Sequence, residues 1–213
     1  MTQREAPPAV SPGDILGFWF EDAWTSPEAA DQRGDFWYGA GDALDDLIRG
    51  RFGAALDAAA RGELGDWEAT GEGALALVVL LDQFSRHCHR GTGRAFENDV
   101  RAIAAAKRAI AGGLDQALPP PGRIFLLHPF HHSETLAEQQ RYVDEVDALI
   151  DSVPPPWREF VEGFARYAAH HRHVIARFGR FPHRNEALGR VNTAAEDEHL
   201  AQTGGWPTGE LAP

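Results

Sequence analysis

The 213 residues carry 32 Asp and Glu against 20 Lys and Arg, a net charge of −12, in a chain that is 43% hydrophobic and 24% charged. That length suits one domain with a buried core, and the acidic balance argues against nucleic acid or an anionic membrane as partner, because both reward broad basic surfaces. The single cysteine, Cys88, excludes an internal disulfide framework and fits a reducing compartment. Met1 to Ser11 lacks the charged-then-apolar order of a secretory signal, and the longest apolar run, Ala74 to Leu81, is too short to span a bilayer. A cytoplasmic location is the resulting expectation.

Strand patterns are nearly absent and helical periodicity recurs along the chain, so the fold class is all-α. Ser11-Pro12 and Ser26-Pro27 each read as an N-cap followed by proline at the first helical position, opening helices near 12–21 and 27–37. Leu44, Leu47, Ile48, Phe52, Leu56 and Ala59 mark one face of a helix over 42–61, closed by Gly62. The segment 74–88 is apolar all round in its first two turns and should be the central buried helix. Val100, Ile103, Ala104 and Ile110 place another over 95–111, ended by Gly112-Gly113. Pro119-Pro120-Pro121-Gly122 reads as a loop followed by a short apolar turn, Ile124 to Leu127. Thr135 with Glu138 has capping-box spacing and starts a helix to about Ile150, broken by Pro154-Pro155-Pro156. A long helix over 157–178 follows, with Gly179 as its C-cap, and Thr193 with Glu196 opens a last one. The pattern predicts antiparallel helix pairs in a tetratricopeptide-like array: one compact domain over 11–203, with tails at 1–10 and 204–213.

Cations gather in two short tracts of this acidic chain: Asp82 to Thr92, with Arg86, His87, His89 and Arg90, and Arg177 to Asn185, with Arg180, His183 and Arg184. Lys107 is the sole lysine, so an anion contact here means a planar guanidinium contact. Asp82 and Arg86 stand one turn apart and can pair, and Arg86, His87 and Arg90 fall where a helix C-terminus favours cations. Those structural roles leave a surplus of positive charge that invites a carboxylate or phosphate. Phe160, Phe164, Tyr167, His171, Ile175 and Phe178 share one stripe of the long helix, which puts His171 on its core-facing side. His128, His131, His132, Ser133 and Glu134 collect just before a helix. The spacing lacks a His-Glu-x-x-His pattern or a second cysteine, so it argues against a metal site, and no phosphate loop or dinucleotide fingerprint calls for a cofactor.

Ile15 to Phe20, Leu81-Asp82-Gln83-Phe84, Arg90-Gly91-Thr92, His132-Ser133-Glu134, the tract Arg177 to Asn185 and Leu188-Gly189-Arg190 together resemble the bacterial helical family called domain of unknown function 924. The resemblance implies an all-α, tetratricopeptide-like fold and no established activity, with Asp82, Arg86, His132, Ser133, Glu134, His171, Arg180 and Arg184 at the family's typical polar positions. Ser85 and His87 depart from the usual Pro and Asn, and His128 and His131 replace apolar residues. Those extra histidines are therefore kept out of the expected site. In that site Arg86, Arg90, Arg180 and Arg184, with His183 and Asn185 from the same loop, hold a small anionic molecule. His171 or His132 is the acid or base, oriented by Asp82 or Glu134. The rival expectation is a protein-interaction scaffold with Trp24, Trp37 and Trp157 lining an exposed groove and the polar tracts serving as struts.

Overall fold

The structure is a computed structural model that describes residues 10–39 and 41–204. Apart from Val10 and Gly204, the expected tails lie outside the described residues. Those residues are mostly helical and contain no strand. The helices are α1 (Pro12–Phe20), α2 (Pro27–Tyr38), α3 (Asp42–Arg61), α4 (Gly71–Val78), α5 (Ser85–Cys88), α6 (Asp99–Ala111), α7 (Pro120–His131), α8 (Leu136–Ser152), α9 (Arg158–Phe178) and α10 (Ala194–Thr203). No helix among them is long and apolar enough to cross a membrane.

Caps explain several boundaries. Ser11 Oγ accepts from Asp14 N while the Asp14 carboxylate accepts from Ser11 N, and Ser26 Oγ accepts from Ala29 N. Gly179, at φ 68°, takes the left-handed conformation that ends α9 and turns the chain toward the Arg/His tract. Thr193 and Glu196 form the expected capping box on α10. The box at Thr135 does not form: Glu138 is drawn to Lys107 Nζ at 2.5 Å, and Ser133 Oγ accepts from Thr135 N instead.

The larger departure is α7. Where the sequence suggests a loop and a short turn, the chain makes a twelve-residue helix. Pro120 and Pro121 sit in its first turn, where no amide donor is needed, and Gly122 lets Trp24 approach so closely that a Cβ would stand 2.8 Å from its ring. His128 and His131 thereby fall inside a buried helix rather than before one.

Helix α4 packs against α1, α6 and α7, α3 packs on α5, and α8 pairs with α9 across the short Pro154–Trp157 connection. One cluster fills the centre, including Trp19, Phe20, Phe52, Phe84, Phe125, Phe130, Tyr142 and Val146. Trp37 is buried in it, and Trp24 and Trp157 are partly buried against it. Several expected stripe positions lie outside: Leu47, Val100 and Tyr167 are exposed. In α6, Ala102, Ala105, Ala106 and Ala109 form the buried face, because small residues let α4 and α7 come close. A second, smaller cluster of Val174, Ile175 and Phe181, with Phe178 against it, continues past the main core at the end of α9.

Candidate functional site

The central helix does not run straight through. Val79–Phe84 is a π-helical turn between α4 and α5, with the Ser85 amide reaching back to Leu80 O. Such widened turns are uncommon and recur at functional sites. This one carries Asp82, which is fully buried. Its Oδ1 lies 2.7 Å from His132 Nδ1 and 3.7 Å from Arg86 Nη2, and its Oδ2 accepts from Gln83 Nε2 at 2.6 Å. Burial works to raise this carboxyl, but the charge and hydrogen bond of His132, and then Arg86, outweigh it and hold Asp82 well below the usual carboxylate range. An ionised carboxylate only accepts, so His132 Nδ1 carries a proton and donates it to Asp82. The His132 side chain is 21% exposed, making it the accessible member of the pair.

From that pair, contacts run in a closed ring through the neighbouring elements. The His131 ring stands 5.7 Å from His132 and 3.7 Å from His171 of α9. His171 meets Phe181 at 5.5 Å, and Phe181 lies under the Arg184 guanidinium. Arg184 also covers Phe96, whose ring Arg86 shares. Asp99 closes the ring, 2.8 Å from Arg86 Nη1 and 3.6 Å from Arg184 Nη1. Burial, and then the charge of Arg86, push Arg184 down to about 10.

Burial disfavours charge on the neighbouring imidazoles of His128, His131 and His171. Burial, and then His132 beside it, push His128 down to about 4; its Nδ1–H donates to Ile124 O at 2.8 Å and its ring stacks on Phe125. His171 is pushed down to about 3 by burial, although Nδ1–H donates to Tyr167 O. The acid or base was expected at His171 or His132, and burial disfavours a proton on His171. His128 and His131, set aside on sequence, belong to the cluster. Residue type in the Arg/His tracts could not reveal them, because what recruits them is the helical register of α7. Tyr142 and Asp99 were likewise missed; the buried stripe of α8 carries Tyr142, and nothing local marks Asp99.

Four expected site residues are engaged otherwise. Arg90 is bound by Asp45 of α3 at 2.5 and 2.9 Å, with His87 on the same carboxylate, so it braces α5 against α3. Arg180 makes a two-point pair with the buried Glu196 at 2.6 and 2.8 Å, tying its loop to α10. Glu134 is gripped by Arg190 at 2.7 and 2.9 Å and accepts the Phe181 amide, so it positions the loop that carries Arg184. Asn185 donates to Asn192 Oδ1 within that loop. His183 stands beside Phe181, with rings 5.4 Å apart. The structure therefore brings together Asp82, Arg86, His132, His171 and Arg184, with His183 at the edge. Among the described residues no three His, Cys, Asp or Glu side chains converge as they would around a metal ion.

A sequence profile described as bacterial protein of unknown function, DUF924, matches residues 15–204. The chain belongs to the DUF924 family. A solved structure of a protein of unknown function from Agrobacterium tumefaciens is similar to this DUF924 chain at 37% identity and a TM-score of 0.75, covering 90% of this chain and 97% of that one. No curated protein matches.

Proposed function

We propose that this DUF924 protein binds a small carboxylated or phosphorylated molecule at Arg184 and Arg86, and that His132, oriented by Asp82, exchanges a proton with it. The observation that carries the reading is the fully buried Asp82 holding His132 Nδ1 at 2.7 Å, which leaves the base nitrogen of a partly exposed imidazole turned away from its carboxylate. That is the arrangement in which a carboxylate fixes tautomer and orientation of a general base.

Charge supports the anionic ligand. Two guanidiniums, Arg86 and Arg184, face two carboxylates, Asp82 and Asp99, so these fixed charges balance, and burial disfavours charge on His128, His131 and His171. An added negative charge is then compensated by a proton on His132. Arg184 is the one with unused capacity, since its Nε has no partner. The site takes one anionic group, not a polyanion.

Calorimetry with a panel of small carboxylates and phosphates, run in two buffers of different ionisation enthalpy, tests this. Binding should take up a proton; His132→Gln should bind without uptake, and Arg184→Met should not bind. Absence of binding across the panel, or binding by the unsubstituted protein without proton exchange, refutes the reading. The protein-interaction alternative keeps Arg90, Arg180 and Glu134 as struts, but the buried Asp82–His132 pair has no work in it.

A further inference from the structure

Polar atoms that folding buries without a partner gather beside the Asp82–His132 pair. The Tyr142 hydroxyl and His131 Nδ1 both lack one, and the two rings lie 4.5 Å apart. Tyr142 is 1% exposed and His131 7%. Arg184 Nε, also buried, is a third. They come from α8, from α7 and from the 182–184 turn, and the ring of contacts through His171 and Phe181 joins them. Buried polar groups in folded proteins nearly always find a partner, because leaving one unmade costs free energy. One exception is unremarkable. Three around one set of touching side chains call for a common cause, and a ligand that completes all three supplies it.

The chemistry of each donor limits that ligand. Arg184 has Phe96 on one side, 4.7 Å from its carbon, and Phe181 at 4.5 Å, so ring faces cover the guanidinium and its edge remains for a planar, two-oxygen anion. Around Tyr142 stand imidazole rings, His131 at 4.5 Å and His128 at 6.3 Å. Burial holds both imidazoles neutral and keeps the Tyr142 phenol protonated. A second carboxylate there would be buried without a counter-ion. An uncharged oxygen fits: a carbonyl accepts from the phenol, and a hydroxyl both accepts from it and donates to an imidazole nitrogen.

We propose that the molecule held at Arg184 is a monoanionic hydroxy or oxo acid, its carboxylate on the Arg184 edge and its uncharged oxygen bonded by Tyr142 and His131. This deepens the function proposed above and rests on it. The shallow hollow of about 450 Å³ between Arg177, Phe178, Arg180, Thr193, Ala195 and Glu196 does not compete, since Arg180 and Glu196 already satisfy each other there.

Matched acids decide the matter: glycolate, lactate, pyruvate and 3-hydroxybutyrate against acetate, propionate and butyrate, by calorimetry and thermal shift. At least one oxygenated acid should bind about tenfold more tightly than the plain acid of its length, the loss expected for one hydrogen bond left unmade. Tyr142→Phe should bring that ratio to about threefold or less while raising the melting temperature of the free protein by a few degrees, because it removes an unpaired hydroxyl. Equal binding of plain and oxygenated acids, both lost in Arg184→Met, overturns this inference and leaves the anion site standing. A lower melting temperature for Tyr142→Phe overturns it too, since the hydroxyl would then already have a partner. If no acid binds but a phosphate of the panel does, this inference alone fails; if neither binds, the anion site fails with it.

Discussion

Acid should unfold this protein earlier than its carboxylates alone would. His128, His131 and His171 are all held neutral by burial, the first down to about 4 and the third to about 3, whereas an unfolded histidine titrates at 6.5. Their folded values are depressed, so the unfolded state binds more protons below pH 6.5. The stability they contribute is complete above that value and is lost as pH falls toward 4. Each such group removes up to about 1.4 kcal/mol per pH unit once the unfolded histidine is protonated, which gives about 2 kcal/mol per residue between pH 7 and 5. For His128 and His171 together the loss is about 4 kcal/mol, a large part of the stability of many domains, and His131 adds to it in the same direction. Asp82 and Glu134 cannot offset it, because both sit below the ordinary carboxylate value and titrate at lower pH. Urea unfolding at half-unit steps from pH 7.5 to 4.5 measures the slope. His128→Phe keeps a ring stacked over Phe125 and removes one titrating group, so its slope should be shallower by about one proton. A loss under about 1 kcal/mol between pH 7 and 5, or a His128→Phe slope equal to that of the unsubstituted protein, would refute the neutral cluster.

The arginines divide into two kinds, and stability measurements should separate them. Arg180→Met strands the buried Glu196 carboxylate and should lower the melting temperature clearly, whereas Arg184→Met removes a buried guanidinium with an unpaired Nε and should leave it unchanged or raised, as thermal denaturation of the two variants reads directly. Arg90→Met takes a charged partner from the buried Asp45 but leaves His87 on it, for an expected cost of about 1–3 kcal/mol in urea unfolding and no change in anion binding. Gly73→Ala would place a methyl 2.0 Å from Trp67 O at the start of α4; because that oxygen is backbone and cannot swing aside, the variant should lose more than about 2 kcal/mol by the same measurement.

The order of the helices other than α7 could be read from caps and periodicity because those signals are local: Ser11, Ser26, Thr193 and Gly179 act within four residues of where they stand. The site was half legible for the opposite reason. Asp82, Arg86 and Arg184 announce themselves as charges in apolar or stiff sequence. Their partners are set by distances of 50 residues between Asp82 and His132, or 85 between Asp99 and Arg184, which composition does not encode. A guanidinium in the sequence also looks the same whether it serves a ligand or a carboxylate. Asp45 and Glu196 decide that question for Arg90 and Arg180, and neither lies in a cationic tract. The misreading of α7 had a definite cause. Three consecutive prolines mark a loop unless two of them fill the first turn of a helix, and only Trp24 against Gly122 reveals that they do.

The site's position follows from where the helical ladder is interrupted. The π-helical turn at Val79–Phe84 widens the central helix under Asp82, Pro129 sits in the last turn of α7 just before His131 and His132, and Gly179 stops α9 one turn after Ile175. A regular helix buries its own amides and presents one apolar face, so it offers a core little reason to admit charge. At an interruption the backbone no longer dictates the face, and polar side chains can turn inward if they find each other. Here three interruptions, from segments far apart in the chain, meet between the main core and the small cluster around Phe181. Holding Asp82, Arg184 and four imidazoles (His128, His131, His132 and His171) there opposes stability, whereas Arg90–Asp45, Arg180–Glu196 and Arg190–Glu134 fix the surrounding elements from outside. A fold that needed only struts would have no use for a buried, incompletely bonded centre. The proposed ligand would give that centre a reason that support of the fold does not.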